Sequence, residues 1–403
     1  MSNIELLTPE VGAVDSAGLR AQDADVLARW AADRAQPWWR RTACLGALAG
    51  RVPEARVGEL LECVRDPGDD GTVRRALLEL LADREELLPW LRHEDRRSEA
   101  AYGLPEAVLK ARGAVGDLSA AGELATLAFS EWRHQRQLGE AGLDALADRH
   151  GAAAVLAGLG GGRPEDRAYA VRLRARADED VFDALADPDR RVAHLAQWLL
   201  DDPDRIRRQL AGAPTVDAAL WAAYALHRLT DDVAETRAVY EALGRPRVEV
   251  EGLDEELRRA IVHEYGPGCA EGSDPRWRIE ALCTEPPQPL DVEQQLGSAV
   301  SALAAAGLAP RPPVSCGEAN QQGGGTYHVI GYGEDGGEVF VSTLGRFAGD
   351  YEDDPVVREA LEGAGLRWID GSTGAIRVTG LGVYYFGSRD PLDVHTLLFY
   401  WQD

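Results

Sequence analysis

A short phrase recurs through the first 200 residues of this 403-residue chain and limits what the chain can fold into. Each copy has an acidic or glycine turn, an aromatic residue or valine, one or two arginines, and an apolar segment rich in Ala and Leu. The copies are Trp39-Arg40-Arg41-Thr42-Ala43, Val73-Arg74-Arg75-Ala76-Leu77, Trp132-Arg133, Asp166-Arg167-Ala168 and Arg190-Arg191-Val192-Ala193. A unit repeating every few tens of residues points to stacked supersecondary structures, because one amphipathic pair cannot bury its own apolar face.

The spacing has two layers. Arg40 to Arg74 is 34 residues, and so is Arg133 to Arg167; the intervening steps run through Arg96, and the last one ends at Arg190. Trp39 to Trp132 and Arg74 to Arg167 are both 93 residues, as if the block near 39–97 were echoed at 132–191. Between copies lie helix breakers: Asp66-Pro67-Gly68, Gly160-Gly161-Gly162-Arg163-Pro164, Asp187-Pro188-Asp189 and Asp202-Pro203-Asp204. Asp-Pro sets an N-cap side chain before a proline suited to the first helical position. Apolar residues at three- and four-residue intervals, as in Val73-Leu77-Leu78-Leu80-Leu81, predict helices across 24–230, after an N-terminal segment over 1–23.

Asp69-Asp70-Gly71-Thr72-Val73-Arg74-Arg75-Ala76 and Asp187-Pro188-Asp189-Arg190-Arg191-Val192-Ala193 resemble the HEAT family of helical repeats. In that family two antiparallel helices pair, often with Asp in the turn and Val-Arg opening the second helix. Trp39-Arg40 and Trp132-Arg133 depart from the pattern, with Trp in the Val position. The resemblance covers about half the chain. It implies a mostly α protein, with a right-handed α-solenoid of five to seven HEAT-like repeats over 24–230 and an Asp–Arg ladder between neighbouring repeats. For function it implies little, since the family hosts scaffolds, adaptors and a few enzymes.

After residue 230 the pattern changes. Residues 231–283 read as a degenerate repeat or cap, and Thr284-Glu285-Pro286-Pro287-Gln288-Pro289-Leu290 reads as a Pro-rich linker, because three prolines in seven residues oppose a helix. Residues 291–403 predict a small α+β domain with an antiparallel sheet. A helix starts at Asp291 and stops before Gly307; a hairpin pairs Tyr327–Ile330 with Glu338–Val341; a helix opens at Asp354-Pro355; and strands follow at Arg367–Ile369, Ala375–Val378 and Val383–Phe386. A final helix or extended arm ends in Phe399-Tyr400-Trp401.

Charge narrows the partners. With 43 basic residues against 68 acidic the chain carries −25, which repels phosphate backbones and disfavours nucleic acid. Some HEAT-like proteins resemble alkylpurine DNA glycosylases, and this charge argues against their basic concave face. A basic protein partner is compatible. The opening Met1–Glu10 has neither a basic nor an apolar signal region, no apolar run reaches the ~20 residues of a membrane span, and the five cysteines form no CxxC pair. A cytoplasmic protein without cofactors or membrane contact is expected.

Four candidate sites follow. In a solenoid Arg40, Arg74, Arg133, Arg167 and Arg190 line one wall, either as a groove for an anionic ligand or as structural partners of Asp and helix carbonyls; the structural role is expected. Cys316 and His328 are the minimum for a thiol nucleophile, but Cys316 follows Pro312-Pro313 in an expected coil with no helix start to depress its pKa. His263, Cys269 and Cys283 match no common zinc spacing, so no metal is expected. Tyr384, Tyr385, Phe386, Phe399, Tyr400 and Trp401 crowd the C-terminus, where the final helix, the first domain or a partner must cover them; Trp and Tyr dominate interface hot spots. The solenoid tryptophans, by contrast, are expected between helices.

The leading expectation is a non-enzymatic protein-recognition or scaffold module with a basic protein partner, of immunity, antitoxin or adaptor type. The alternative is an enzyme or a binder of a small anionic ligand, with its site in the groove between solenoid and C-terminal domain. The sequence is silent on oligomeric state.

Overall fold

The computed structural model describes residues 3–93, 103–334, 336–350 and 352–402, so Arg96 lies outside the described residues. The chain is mostly helical, with a small sheet region near the C-terminus. It divides into two compact units, Met1–Leu173 and Arg174–Asp403. The proline-rich stretch over 284–290 is coil within the second unit. No helix among the described residues is long and apolar enough to cross a membrane.

In the first unit, helices such as Ala24–Ala32, Trp38–Ala47, Glu54–Arg65 and Gly71–Leu80 follow one another with short turns. Asp23 and Asp70 start two of them by accepting backbone N–H bonds from the first turn. Their apolar stripes share one core, including Leu27, Leu45, Leu60, Leu77 and Leu91. A second core, around Leu124, Leu143 and Leu146, holds helices Ala121–Ala128 and Arg133–His150 together. They approach so closely that a Cβ on Gly139 would lie 2.3 Å from the Ala128 nitrogen, which only glycine tolerates.

One buried device occurs twice at a 33-residue interval. Arg41 Nε donates to the Ala31 carbonyl at 2.7 Å, and Arg74 Nε donates to the Val64 carbonyl at 2.9 Å. Each arginine opens one helix and satisfies a carbonyl in the last turn of the helix before it, where no intrahelical partner exists. Arg41 also makes a bidentate pair with Asp69 at 2.5 and 2.7 Å.

Among the described residues of the second unit, nine short strands form three sheets. They are β1 (Val314–Ser315), β2 (Gly324–Gly325), β3 (Tyr327–Tyr332), β4 (Gly337–Ser342), β5 (Phe347–Gly349), β6 (Arg367–Trp368), β7 (Arg377–Val378), β8 (Leu392–Asp393) and β9 (Trp401–Gln402). The main sheet runs β1-β3-β4-β5-β6, while β2 pairs with β9 and β7 with β8. All pairs are antiparallel except β5–β6, which corrects the purely antiparallel expectation. Helix Pro355–Gly363 supplies the crossover that a parallel neighbour needs.

Alternation along β3 and β4 serves both faces of this sheet. Ile330, Val339 and Val341 pack with Ala299, Leu303, Val357 and Leu361 of the domain's own helices. Val329 and Phe340 face the other way and share a core with Leu257, Ile261, Trp277, Leu397 and Phe399. Helices Glu255–Tyr265 and Pro275–Cys283, read from sequence as part of a cap, therefore belong to the sheet's core.

Val383–Phe386 is not a strand. Its only ladder contact is an isolated bridge between Tyr385 and Ser388. Gly380 and Gly382 precede it at φ 76° and 68°, and Phe386 and Gly387 follow at 42° and 88°. Four strand-forming side chains lose to a backbone that must turn twice.

Candidate functional site

The turn that replaces the expected strand organises the most distinctive surface of the second unit. Its stem is tied to the N-terminus of helix Pro275–Cys283. Asp274 N–H donates to the Gly380 carbonyl at 2.7 Å, Ser273 Oγ to Leu381 O at 2.8 Å, and Trp277 Nε1 to Thr379 O at 3.0 Å. At the tip Tyr385 and Ser388 exchange backbone hydrogen bonds of 2.8 and 3.1 Å across Phe386-Gly387. Positive φ at both central residues is the mark of a type I′ turn, which favours Asn-Gly or Asp-Gly. A phenylalanine with left-handed backbone clashes at its Cβ, at a cost of about 1–2 kcal/mol. Here the position is held by Phe386, 53% exposed to solvent.

The C-terminal strand lies beside this tip. β9 pairs with β2, Tyr400 N–H donates to Thr326 Oγ1 at 3.0 Å, and Trp401 Nε1 donates to Gln322 O at 3.1 Å. The Tyr400 hydroxyl donates to the Tyr384 carbonyl at 2.7 Å, joining strand to turn. Rings then follow one another outward: Tyr265 to Tyr400 at 5.9 Å, Tyr400 to Tyr385 at 5.6 Å, Tyr385 to Phe386 at 4.7 Å and Phe386 to Trp401 at 5.4 Å between centroids. Tyr265 anchors the inner end by donating to Leu397 O at 2.6 Å, and burial drives its phenol pKa upward. Tyr384 is exposed beside the tip, and the Arg389 guanidinium lies 5.4 Å above its ring.

Comparison with protein-family models, with curated proteins and with solved structures found no match.

The structure sorts the other sequence candidates. Phe399 leaves the aromatic group: it is buried against Tyr327, Phe340 and His395 in the core. Cys316 opens a one-turn helix, Cys316–Ala319, capped by Ser315, where a coil was expected. It is only 2% exposed and packs under Gly325, whose backbone runs against the Tyr400 carbonyl. His328 sits on β3 opposite Val341, burial lowers its pKa, and no hydrogen bond joins it to Cys316. Cys316 is thus buried and shares no proton with the half-exposed His328. Among the described residues no group of three or more His, Cys, Asp or Glu could hold a metal. His263 Nε2 instead lies 3.1 Å from Thr284 Oγ1, and burial pushes the Cys269 and Cys283 thiols up to about 11.

The five arginines are not equivalent. Arg40 is half-buried, bonded to Thr8 and Gln36, and stacked 4.9 Å over Trp39. Arg74 is buried on the Val64 carbonyl and 5.6 Å over Trp90. Arg133 is exposed, Arg167 bonds the Gly162 carbonyl, and Arg190 pairs with Asp274 at 2.7 Å. The repeat partner of Arg74 is Arg41, one residue from the position read as the stripe.

Arginines lining the clefts of the second unit are largely paired. A cleft of about 590 Å³ beside Asp187–Arg191 holds the Arg190–Asp274 and Arg191–Asp189 pairs. A polar cleft of about 400 Å³ contains Arg258, bidentate to Glu280 at 2.8 and 2.6 Å, and Arg247, paired to both Glu255 and Glu280. An anionic ligand entering either cleft competes with these carboxylates. Several tryptophans expected between helices are instead exposed: Trp38, Trp132 and Trp198. Trp221 is buried as expected.

Proposed function

We propose that this chain is a non-enzymatic protein-recognition module whose contact surface is the aromatic tip formed by Tyr384, Tyr385, Phe386, Tyr400 and Trp401. The observation that carries the reading is Phe386. Strained backbone persists where the surroundings over-determine it, and such outliers concentrate at functional sites. An exposed aromatic ring at a position where Asn or Gly costs less gains little for folding beyond its contacts to Tyr385 and Trp401, whereas aromatic anchors are what protein interfaces use.

In this reading the helices of the first unit are HEAT-like repeats of an α-solenoid. The support is the buried arginine that recurs after 33 residues, at Arg41 and Arg74, and bonds the preceding helix each time. The partner is a basic protein, since residues 291–403 carry 6 arginines against 16 carboxylates. A protein that masks a cationic toxin, as an immunity protein or antitoxin does, is one concrete form. The buried thiols and paired arginines favour this reading over an enzyme or an anion-binding site.

The test is capture of partners from the native lysate at low and high salt, with identification by mass spectrometry. A stoichiometric basic protein, lost at high salt and lost with Tyr385→Ala or Trp401→Ala, is expected. Capture that ignores both substitutions contradicts the assignment of the surface.

A further inference from the structure

We propose that the aromatic tip takes an arginine side chain of its partner, stacked on Phe386 and Trp401 and paired with the carboxylate of Asp390. The inference rests on the recognition reading above and names the group recognised.

Three observations point to a guanidinium. Phe386 and Trp401 are inclined at 47° with centroids 5.4 Å apart, and each keeps part of its ring in solvent. The electron-rich faces of such rings attract cations. The same surface already holds one guanidinium of its own: Arg389 lies 5.4 Å over Tyr384 while donating to the Gly382 carbonyl at 2.8 Å. The third observation is Asp390, two residues beyond the turn. Its carboxylate accepts a 2.6 Å hydrogen bond from Ser388 Oγ and makes no ion pair among the described residues, although the neighbouring residue is an arginine. Elsewhere in this domain Arg358 pairs with Glu362, and Arg367 with Asp254 and Glu256.

Arginine fits this combination better than the other side chains. Its planar guanidinium stacks on a ring and still points N–H donors at a carboxylate in its own plane. A lysine ammonium satisfies one or the other as a point charge. An apolar occupant would cover Asp390 and leave a desolvated charge without a partner. The wider field agrees, since residues 174–403 hold 21 arginines against 40 carboxylates and draw a cationic segment to this unit.

The experiment titrates the full-length protein with three labelled decapeptides, alternating Gly with Arg, Lys or Gln. Fluorescence anisotropy reads affinity, and the Trp401 indole N–H resonance, assigned through Trp401→Phe, reads location. Expected are saturable binding of the Arg peptide with a shift of the Trp401 resonance, weaker binding of the Lys peptide and none of the Gln peptide. Phe386→Asn and Asp390→Asn should each weaken the Arg peptide about fivefold. An unmoved Trp401 resonance, equal binding of Arg and Gln peptides, or affinity indifferent to both variants overturns the assignment. If the peptide fails while Phe386→Asn still abolishes capture of the cellular partner, recognition stands and the guanidinium falls. If capture also ignores Phe386→Asn, both fall.

Discussion

Phe386 is where local cost and surroundings oppose each other most plainly. Replacing it with Asn, whose short side chain can hydrogen-bond locally in the left-handed region, relieves part of the backbone cost of about 1–2 kcal/mol. It also removes the ring contacts to Tyr385 and Trp401, worth about 1 kcal/mol on an exposed turn. Phe386→Asn is therefore expected to melt at the wild-type temperature or a few degrees above it; a clear fall in melting temperature would mean that the ring serves folding. The cysteines make a second prediction at this scale. All five are free and buried, so a thiol reagent should label none of them within minutes and all of them in denaturant. A thiol that reacts in seconds in the wild type and is lost with Cys316→Ser would revive Cys316 as a nucleophile. Arg41 marks what sequence could not resolve here. Arg40 and Arg41 are equivalent on paper, and only the phase of helix Trp38–Ala47 turns one to the Ala31 carbonyl and the other to Trp39.

Elements were legible in proportion to their length and periodicity. The hairpin Tyr327–Tyr332 with Gly337–Ser342, and the helices capped by Asp291 and Asp354, stand where alternation and N-caps put them. Cys316–Ala319 and Gly371–Gly374 are single turns, too short to show a period. The aromatic tip was half legible: its composition announced crowded rings that something must cover, but four strand-formers concealed a turn dictated by flanking glycines. Two buried groups give predictions at this scale. Arg258 opens onto Glu280, the Val248 carbonyl and the Trp277 ring 4.8 Å away. Glu280→Gln leaves that buried charge uncompensated and should cost about 3–5 kcal/mol in denaturant unfolding; a loss below 1 kcal/mol would contradict it. His194, in helix Arg190–Leu199, accepts a 3.0 Å bond from Trp198 Nε1, and burial lowers its pKa from 6.5 to about 4. Between those values the unfolded chain takes up a proton that the folded chain refuses, so stability falls as pH falls from about 6.5 to about 4. His194→Gln should flatten that slope, and an unchanged slope would place the effect on other groups.

At the scale of the whole molecule, the mostly helical chain with a small C-terminal sheet region was legible and the partner was not. A net −25 is compatible with a basic partner, and most of that charge lies after residue 173, in the unit bearing the aromatic tip. The repeating phrase foretold helices, and of its five arginines Arg74 is buried on a carbonyl of the preceding helix, because an arginine near a helix start has such carbonyls within reach. It could not foretell a partner, since such a phrase speaks to helix packing and not to contact chemistry. The most direct measurement is partner capture and thermal melting of Phe386→Asn beside the wild type. The account predicts lost capture with an unchanged or raised melting temperature. Intact capture, or a loss that merely follows unfolding, would contradict it.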